Sequence, residues 1–306
     1  MIYLYTENLF FLKKVKQLVK RILGRDNRGP DAVVAGLLRG LDDLHVPYLV
    51  NKKLSSSVEV ACVLTGADTL RWAIEEKRKG HFKKIIAGPI IAVVPSEANK
   101  IILSPEIDAF VVPSVWVKSW WSALHSNLEH KIKLWASGVK DMGDMRKVDG
   151  QVLVFKKNVP DKLFNYVIGV LKSKNLSIEV LQYGSFKPKD YFHALSKSKF
   201  MVYLTESESQ GIAQQEAWMA NIPTLVWNRG YLTYKNYRWD DAKISSPFLS
   251  QESGMFFSGQ DDFKNILESF LLNYNSFNAR KYALENFSDT VSAKKYLDYI
   301  NNQLCK

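Results

Sequence analysis

A strand–loop–helix–strand pattern in the second half of the chain constrains the fold more than any other feature of the sequence. Residues 200–204 form a short apolar run that predicts a buried strand. A helical pattern follows over residues 212–220, and Asn221 and Pro223 are residue types that commonly end a helix. Residues 224–227 predict the next strand. Because alternating strands and helices build layered domains with parallel sheets, this segment predicts an α/β fold.

The loop and the helix start within this segment carry a candidate binding site. Gly211 precedes a helix whose first backbone N–H groups have no intrahelical acceptor and lie at the positive end of the helix dipole. Such a helix start attracts phosphate. Glu208 lies just before it and Glu216 lies in its second turn, and an ionised carboxylate accepts hydrogen bonds from a diol well. Either acid alone is more often an ordinary surface residue, but together they predict a site for a diphosphate flanked by two polyols.

The spacing of these residues resembles a known enzyme family. Glu208 and Glu216 match the E-x7-E pattern of the retaining nucleotide-sugar glycosyltransferases with the GT-B fold, the group 1-like family. Gly211, Ala217 and Pro223 match further positions of its motif. The resemblance implies an α/β protein with two Rossmann-like domains, a donor cleft between them, and a C-terminal helix that crosses back to the first domain.

The chain departs from the family motif at two places. Asn221 stands where glycine is common, and asparagine is the usual second choice for a left-handed backbone, so this change is mild. Ser209 and Gln210 stand where a glycine and an aromatic residue are common. The second departure bears on which sugar the site would accept.

Two basic positions are expected to neutralise the leaving diphosphate. The family carries an arginine and a lysine where this chain has Lys156, after a predicted strand, and Lys162, at the start of a helix. Lys157 is the alternative to Lys156. A lysine lacks the bidentate fork of arginine but still offers a point charge to phosphate. Surface lysines are usually only solvated, so the assignment depends on the resemblance.

The resemblance extends to the remaining site residues. The catalytic residues are predicted to be Glu208, Lys156 and Lys162. The donor-binding residues are predicted to be Glu216, Lys157, Gly29, Tyr183, Gly184, Ser209, Gln210, Gly211 and Ile212. Gly29 is expected in a loop that approaches the donor, and Tyr183 with Gly184 beside the nucleotide base.

The implied reaction is transfer of a sugar from a nucleotide-diphosphate donor to a glycan or lipid-linked acceptor with retention of anomeric configuration. Positive groups aimed at the departing diphosphate stabilise the charge that develops in the transition state. Protein cations can do this without a divalent metal, and the sequence has no histidine–cysteine cluster, so neither metal nor cofactor is expected. No residue resembles a dedicated nucleophile.

The alternation of strands and helices runs through the whole chain. Strands are predicted over residues 2–5, 48–51, 60–64, 84–87, 109–112, 151–155 and 178–183, and helices over residues 31–44, 115–122, 162–172, 189–196, 262–274 and 279–304. Residues 137–150 are poor in hydrophobic side chains and predict a linker. The expected domains are residues 1–145 on the acceptor side, 146–285 for the nucleotide sugar, and 286–306 as the returning helix.

Composition limits the other function classes. A chain of 306 residues suits two domains of ordinary size. Its two cysteines, Cys62 and Cys305, form neither a disulfide framework nor a metal-ligand spacing, which suits a reducing compartment. No secretory signal and no apolar run of membrane-spanning length are recognised, so a cytoplasmic location is expected.

The net charge of +11 indicates an acidic partner: a nucleotide diphosphate, an anionic membrane surface or nucleic acid. No nucleic-acid motif is present, so a nucleic-acid partner is not expected. Residues 9–23 form a basic amphipathic helical pattern. Packing on the first sheet is the commoner fate of such a helix, but it can also lie peripherally on an anionic membrane, which would favour a lipid-linked acceptor.

Two other functions stay open at the level of sequence. One is a sugar-nucleotide epimerase with the same fold, which needs more acid–base side chains around the sugar than the five histidines here readily supply. The other is a non-catalytic nucleotide-sugar-binding protein on a degenerate transferase fold, against which the presence of both Glu208 and Glu216 argues.

Overall fold

The computed structural model describes residues 1–7, 28–52 and 57–304. The chain folds as two compact units, one made of Met1–Gly138 with Asp289–Lys306 and the other of Val139–Ser288. The basic segment over residues 9–23 lies outside the described residues, as does Cys305. The acceptor-side and donor-side functions attached to the predicted domain ranges stay predictions.

The described residues alternate strands and helices as the sequence predicted. The strands are β1 (Ile2–Tyr5), β2 (Tyr48–Val50), β3 (Val58–Thr65), β4 (Phe82–Ile90), β5 (Ala109–Val112), β6 (Ile132–Leu134), β7 (Gln151–Lys157), β8 (Ile178–Gln182), β9 (Ser198–Thr205), β10 (Thr224–Trp227), β11 (Tyr231–Tyr234), β12 (Tyr237–Asp240) and β13 (Gly254–Phe257). The α-helices are α1 (Arg28–Asp43), α2 (Ala67–Arg78), α3 (Val115–Leu124), α4 (Asp161–Ser173), α5 (Pro188–Leu195), α6 (Ile212–Met219), α7 (Gln260–Leu272), α8 (Ala279–Phe287) and α9 (Asp289–Leu304). None of the helices within the described ranges combines the length and the apolar character needed to cross a bilayer.

The first unit is built on a parallel sheet of six strands in the order β2-β1-β3-β4-β5-β6. Helix α1, predicted over residues 31–44, buries Val33, Leu37 and Leu41, which are spaced four residues apart on one face. Helix α9, from the C-terminal end of the chain, packs on α1 within the same unit. The first unit is therefore completed by residues that are distant in sequence.

The contact between α1 and α9 depends on close backbone approach and on one ion pair. A Cβ atom added at Gly40 would lie 2.1 Å from the carbonyl oxygen of Asp289 and 2.7 Å from the side chain of Ala293. The Arg39 guanidinium donates to both carboxylate oxygens of Asp289, at 2.6 Å and 3.0 Å. Asp289 also begins α9, where a negative charge is favourable to the helix dipole.

We expect Gly40→Ala to destabilise the first unit, because the added methyl group has no room unless the two helices separate. Overpacking of this kind costs about 1–3 kcal/mol of unfolding free energy. The measurement is denaturant unfolding of both variants, with Gly29→Ala in the same helix as the control. A Cβ at Gly29 meets nothing within 4 Å, so that change should leave stability the same or slightly raised. Equal stability of the two variants would contradict the close packing of α1 and α9.

The second unit is built on a parallel sheet of five strands in the order β13-β10-β9-β7-β8. One face of this sheet packs against helices α4 and α7. Its buried cluster includes Val152, Val154, Leu163, Val167, Leu171, Val202, Leu204, Phe263, Leu267 and Phe270. The residues of α4 in this cluster recur at four-residue spacing, as expected for one face of a helix.

Several elements differ from the sequence prediction, and helix α2 and strands β6 and β13 were not predicted. The predicted helix over residues 279–304 is two helices, because Ser288 has an extended backbone with φ −60° and ψ 149°. The carbonyl oxygen of Phe287 accepts a hydrogen bond from the Val139 N–H at 2.8 Å, which stabilises the break. The antiparallel pair β11–β12 was not predicted and forms a small separate sheet within the second unit.

Candidate functional site at the carboxyl end of the second sheet

The topology of the second sheet marks where a ligand would bind. The chain passes from β7 to β8 on one side, and β9 then pairs with β7 on the other side. In open α/β sheets, ligands bind outside the carboxyl ends of the strands where the strand order reverses in this way. The residues at this point are Lys157, the last residue of β7, and its register partner Thr205, the last residue of β9.

Lys156 and Lys157 project to opposite faces of the sheet, because side chains alternate along a strand. Lys157 Nζ lies 2.7 Å from Glu208 Oε1, with 22% and 13% of the two side chains exposed. Lys156 Nζ lies 2.9 Å from Asp161 Oδ1 and 4.2 Å from the ring centroid of Phe164. The structure therefore places Lys157, rather than Lys156, in contact with Glu208 of the motif, and the role of Lys156 stays a prediction.

The Glu208 carboxylate is held by the strand that precedes it. Tyr203 Oη donates to Glu208 Oε1 at 2.9 Å, and Thr205 Oγ1 donates to the same oxygen at 3.4 Å. The backbone N–H of Glu208 donates to the carbonyl oxygen of Ile244 at 2.9 Å. Burial, together with the nearby charge of Glu208, holds the pKa of Tyr203 well above its ordinary value. The phenol consequently stays protonated and keeps donating at any working pH.

Helix α6 begins as the sequence predicted. Gly211 precedes it with φ 82° and ψ 51°, a left-handed conformation that glycine adopts without strain, and it has no side chain with which to cap the helix. The nearest atom to a Cβ placed at Gly211 would be 3.5 Å away. The first N–H groups of the helix lack intrahelical acceptors, so the positive end of α6 suits an anion.

The end of α6 also follows the prediction. Asn221 adopts a left-handed backbone with φ 64°. The Ile222 N–H donates to the carbonyl oxygen of Ala217, and the Asn221 N–H donates to the carbonyl oxygen of Trp218, at 2.8 Å each. These two bonds form a Schellman motif, so asparagine here takes the place that glycine holds in the family motif.

The face of α6 away from the core carries two of the predicted donor-binding residues. Ile212 and Glu216 are four residues apart, and residues at that spacing lie on the same side of a helix. Both are partly exposed, whereas Ala217 and Trp218 are buried. The contact of Glu216 with a ribose stays a prediction, and its placement on the accessible face is compatible with it.

The two residues that depart from the family motif differ in placement. Ser209 is exposed, whereas Gln210 is buried, and Gln210 Nε2 donates to Gln215 Oε1 at 2.8 Å. On the sheet side of α6, Gln214 Nε2 donates to Thr224 Oγ1 at 3.0 Å. The pairing of Gln210 with Gln215 was not predicted. The sequence could have indicated it, because three glutamines, Gln210, Gln214 and Gln215, lie around the start of the helix.

Tyr183 and Gly184 follow β8 as predicted. Tyr183 is 46% exposed, and Lys157 Nζ lies 4.8 Å from the centroid of its ring. Gly184 has φ 87°, a backbone that favours glycine. Lys157 thus contacts both Glu208 and Tyr183, and it links three of the residues that the sequence placed in the site.

Lys162 and Gly29 are the two predicted residues that remain. Lys162 is the second residue of α4 and is exposed. Gly29 was expected in a loop, but the structure places it in the first turn of α1 in the first unit, because the helix begins before Pro30 rather than after it. Proline is accommodated in a first helical turn, which explains the earlier start. The donor-binding roles of both residues stay predictions.

A segment that the sequence did not single out supports the loop carrying Glu208. Arg229 Nη1 lies 2.9 Å from Glu206 Oε1, and Ser245 Oγ donates to the carbonyl oxygen of Glu206 at 3.2 Å. Between Arg229 and Ser245 the chain forms the β11–β12 hairpin. The guanidinium groups of Arg229 and Arg238 lie 4.4 Å and 4.1 Å from the ring centroid of Tyr231 in β11. The hairpin therefore starts and ends at the loop before α6.

Across the part of the chain that the structure describes, no group of three or more histidine, cysteine, aspartate or glutamate side chains is placed to hold a metal ion. The charged side chains described at this end of the sheet include Lys157 and Glu208, with Glu206 in the loop that leads to α6 and its ion-pair partner Arg229.

The structure is similar to solved structures of GT-B glycosyltransferases. S. aureus TarM, solved as a point mutant with fondaparinux, α-GlcNAc-glycerol and UDP, gives a TM-score of 0.56 at 13% identity over 78% of this chain and 55% of that chain. The pneumococcal O-GlcNAc transferase GtfA, solved with UDP and GlcNAc, gives a TM-score of 0.54 at 12% sequence identity. The match covers 80% of this chain and 57% of that chain. The lipopolysaccharide outer core galactosyltransferase WaaB, in its apo form, gives a TM-score of 0.58 at 12% sequence identity. The match covers 99% of this chain and 100% of that chain.

These comparisons confirm the predicted GT-B fold. The chain spans little more than half the length of TarM and GtfA, at 55% and 57%. No family model matches the chain, and no curated protein matches it in sequence.

Proposed function

We propose that the protein is a glycosyltransferase that moves a sugar from a nucleoside-diphosphate donor to a glycan or lipid-linked acceptor with retention of configuration. The observation that carries this proposal is the meeting of Lys157, Glu208 and the N-terminus of α6 at the point where the strand order of the second sheet reverses. A GT-B fold and neighbours solved with UDP support it.

Each group has a distinct role in this proposal. The first N–H groups of α6 and the Lys157 ammonium receive the diphosphate, and Lys162 adds a second cation. Glu208 accepts hydrogen bonds from hydroxyl groups of the donor sugar, and Glu216 accepts those of the ribose. Tyr183 lies beside the base.

The chemistry assigned to these groups is electrostatic. The bond between the anomeric carbon and the diphosphate oxygen breaks, and the electron pair leaves with the diphosphate. The acceptor hydroxyl forms the new bond on the same face of the sugar, and its proton passes to the departing diphosphate. Because the charge on the diphosphate grows in the transition state, fixed positive groups lower the barrier more than they tighten substrate binding. The protein cations are proposed to perform this role without a divalent metal.

The test is a transfer assay with a panel of UDP-sugars and glycan acceptors, with and without a chelator. We expect the release of nucleotide diphosphate to depend on an acceptor, to continue in the chelator, and to give a product that retains the donor's anomeric configuration by NMR. Binding of nucleotide sugar without transfer or donor hydrolysis would identify a non-catalytic binding protein. Conversion of the donor to an epimer without an acceptor would identify an epimerase.

A further inference from the structure

One oxygen of Glu208 receives three hydrogen-bond donors of very different mobility. Lys157 Nζ, Tyr203 Oη and Thr205 Oγ1 lie 2.7, 2.9 and 3.4 Å from Glu208 Oε1. Lys157 is a long side chain with 22% of its surface exposed, whereas Tyr203 and Thr205 are 1% exposed. Two of the three donors are therefore fixed in the core, and one can turn toward a ligand.

The Tyr203 ring is fixed by its neighbours. It stacks on Phe155 of the adjacent strand, with centroids 5.0 Å apart and an interplanar angle of 26°. Phe155 and Tyr203 are register partners in the sheet, so the phenol hydroxyl is held at the carboxyl end of β9. Burial ensures that this hydroxyl stays protonated, as described above.

A diphosphate bound beside Lys157 would disturb Glu208 in two ways. It would draw the ammonium away from the carboxylate, and its negative charge would repel the carboxylate. A surface carboxylate would then rotate into solvent. Glu208 can stay in place only if groups other than Lys157 hold it.

We propose that Tyr203 is a positioning residue that holds Glu208 against the donor sugar when Lys157 turns to the diphosphate. This inference rests on the proposed function, and it assigns a role to a tyrosine that the motif does not include. The single hydroxyl hydrogen of Thr205 is shared between Glu208 and the nearer carbonyl oxygen of Ser207, at 3.4 and 3.2 Å. Tyr203 is therefore the main buried donor to the carboxylate.

The first test is Tyr203→Phe, which removes the hydroxyl and keeps the stacked ring. Hydrogen bonds to a charged group are strong enough that we expect affinity for the accepted UDP-sugar to fall about ten- to one-hundred-fold. Affinity for UDP alone should change less than about twofold, because the positioned carboxylate contacts only the sugar. Isothermal titration calorimetry measures both affinities.

The control is Tyr191→Phe. Tyr191 is a buried tyrosine of the same aromatic group, 6.0 Å from Phe155 between ring centroids, but its hydroxyl donates to the carbonyl oxygen of Ala213. A purely structural effect of removing a buried hydroxyl would weaken UDP and UDP-sugar alike, and Tyr191→Phe measures that effect. Equal weakening of both ligands by Tyr203→Phe would overturn the proposal.

A double-mutant cycle separates this inference from the proposed function. In a Glu208→Ala background, Tyr203→Phe should cause no further loss of UDP-sugar affinity, whereas additive losses would overturn the positioning role. If the wild-type protein binds neither ligand, the proposed function fails, and the same cycle is measured by unfolding of the ligand-free protein. Non-additive losses of stability there would support the Tyr203–Glu208 contact, and additive losses would overturn it.

Discussion

Lys157→Ala is expected to lower the turnover number for sugar transfer by about 100- to 1000-fold, the usual loss when one fixed group that stabilises developing negative charge is removed. The reason is that Lys157 is the lysine in contact with Glu208, at 2.7 Å, at the carboxyl end of β7. The Michaelis constant should change far less, since the diphosphate gains most of its charge only as it leaves. Steady-state kinetics with the accepted UDP-sugar measure both quantities.

Lys156→Ala is the matched control, because it removes the same charge from the adjacent position. Its ammonium lies on the opposite face of the strand, 2.9 Å from Asp161. We expect a loss of no more than about threefold, in line with the small contribution of exposed ion pairs. A large loss in Lys156→Ala with little change in Lys157→Ala would restore the assignment made from the sequence alone and contradict the one made from the contacts.

Glu216→Gln is expected to weaken donor binding about ten- to one-hundred-fold, because an amide accepts hydrogen bonds from a ribose diol less strongly than a carboxylate does. The fold should be unaffected, since Glu216 lies on the partly exposed face of α6. Titration with UDP alone tests this, because the ribose is present in both the nucleotide and the nucleotide sugar.

Glu285→Gln on the neighbouring helix α8 removes the same charge from an exposed position and should leave the affinity unchanged. An unchanged affinity for UDP in Glu216→Gln, with turnover also unchanged, would show that the ribose is held elsewhere.

The parallel α/β architecture could be predicted from the sequence because most strands of the two parallel sheets carry their own apolar run and the turns between them carry their own breakers. The start of α6 at Gly211 and its end at Asn221 were both readable for this reason. Which of Lys156 and Lys157 contacts Glu208 was not readable from composition. It depends on which face of β7 packs on α4, and that is set by tertiary contacts.

Other features needed information that is distant in sequence. The break at Ser288 is stabilised by a hydrogen bond from Val139, so the uninterrupted helical pattern over residues 279–304 could not reveal it. Tyr203 was read only as a core residue of a strand, because nothing in its neighbourhood indicates that its hydroxyl reaches Glu208. Helix α2 was missed although its sequence carried a signal, with Leu70, Ala73 and Ile74 buried at helical spacing.

The division of the chain has a consequence for the order in which a ribosome can complete the two units. The second unit is continuous, from Val139 to Ser288, so all of its residues have been synthesised before the last helix emerges. The first unit lacks α9 until Asp289 and the residues after it leave the exit tunnel, although its sheet is made first. Until then Gly40 and the face of α1 around it lack the helix α9 that packs on them. The unit whose sheet is translated first therefore cannot be completed until the last helix has been synthesised.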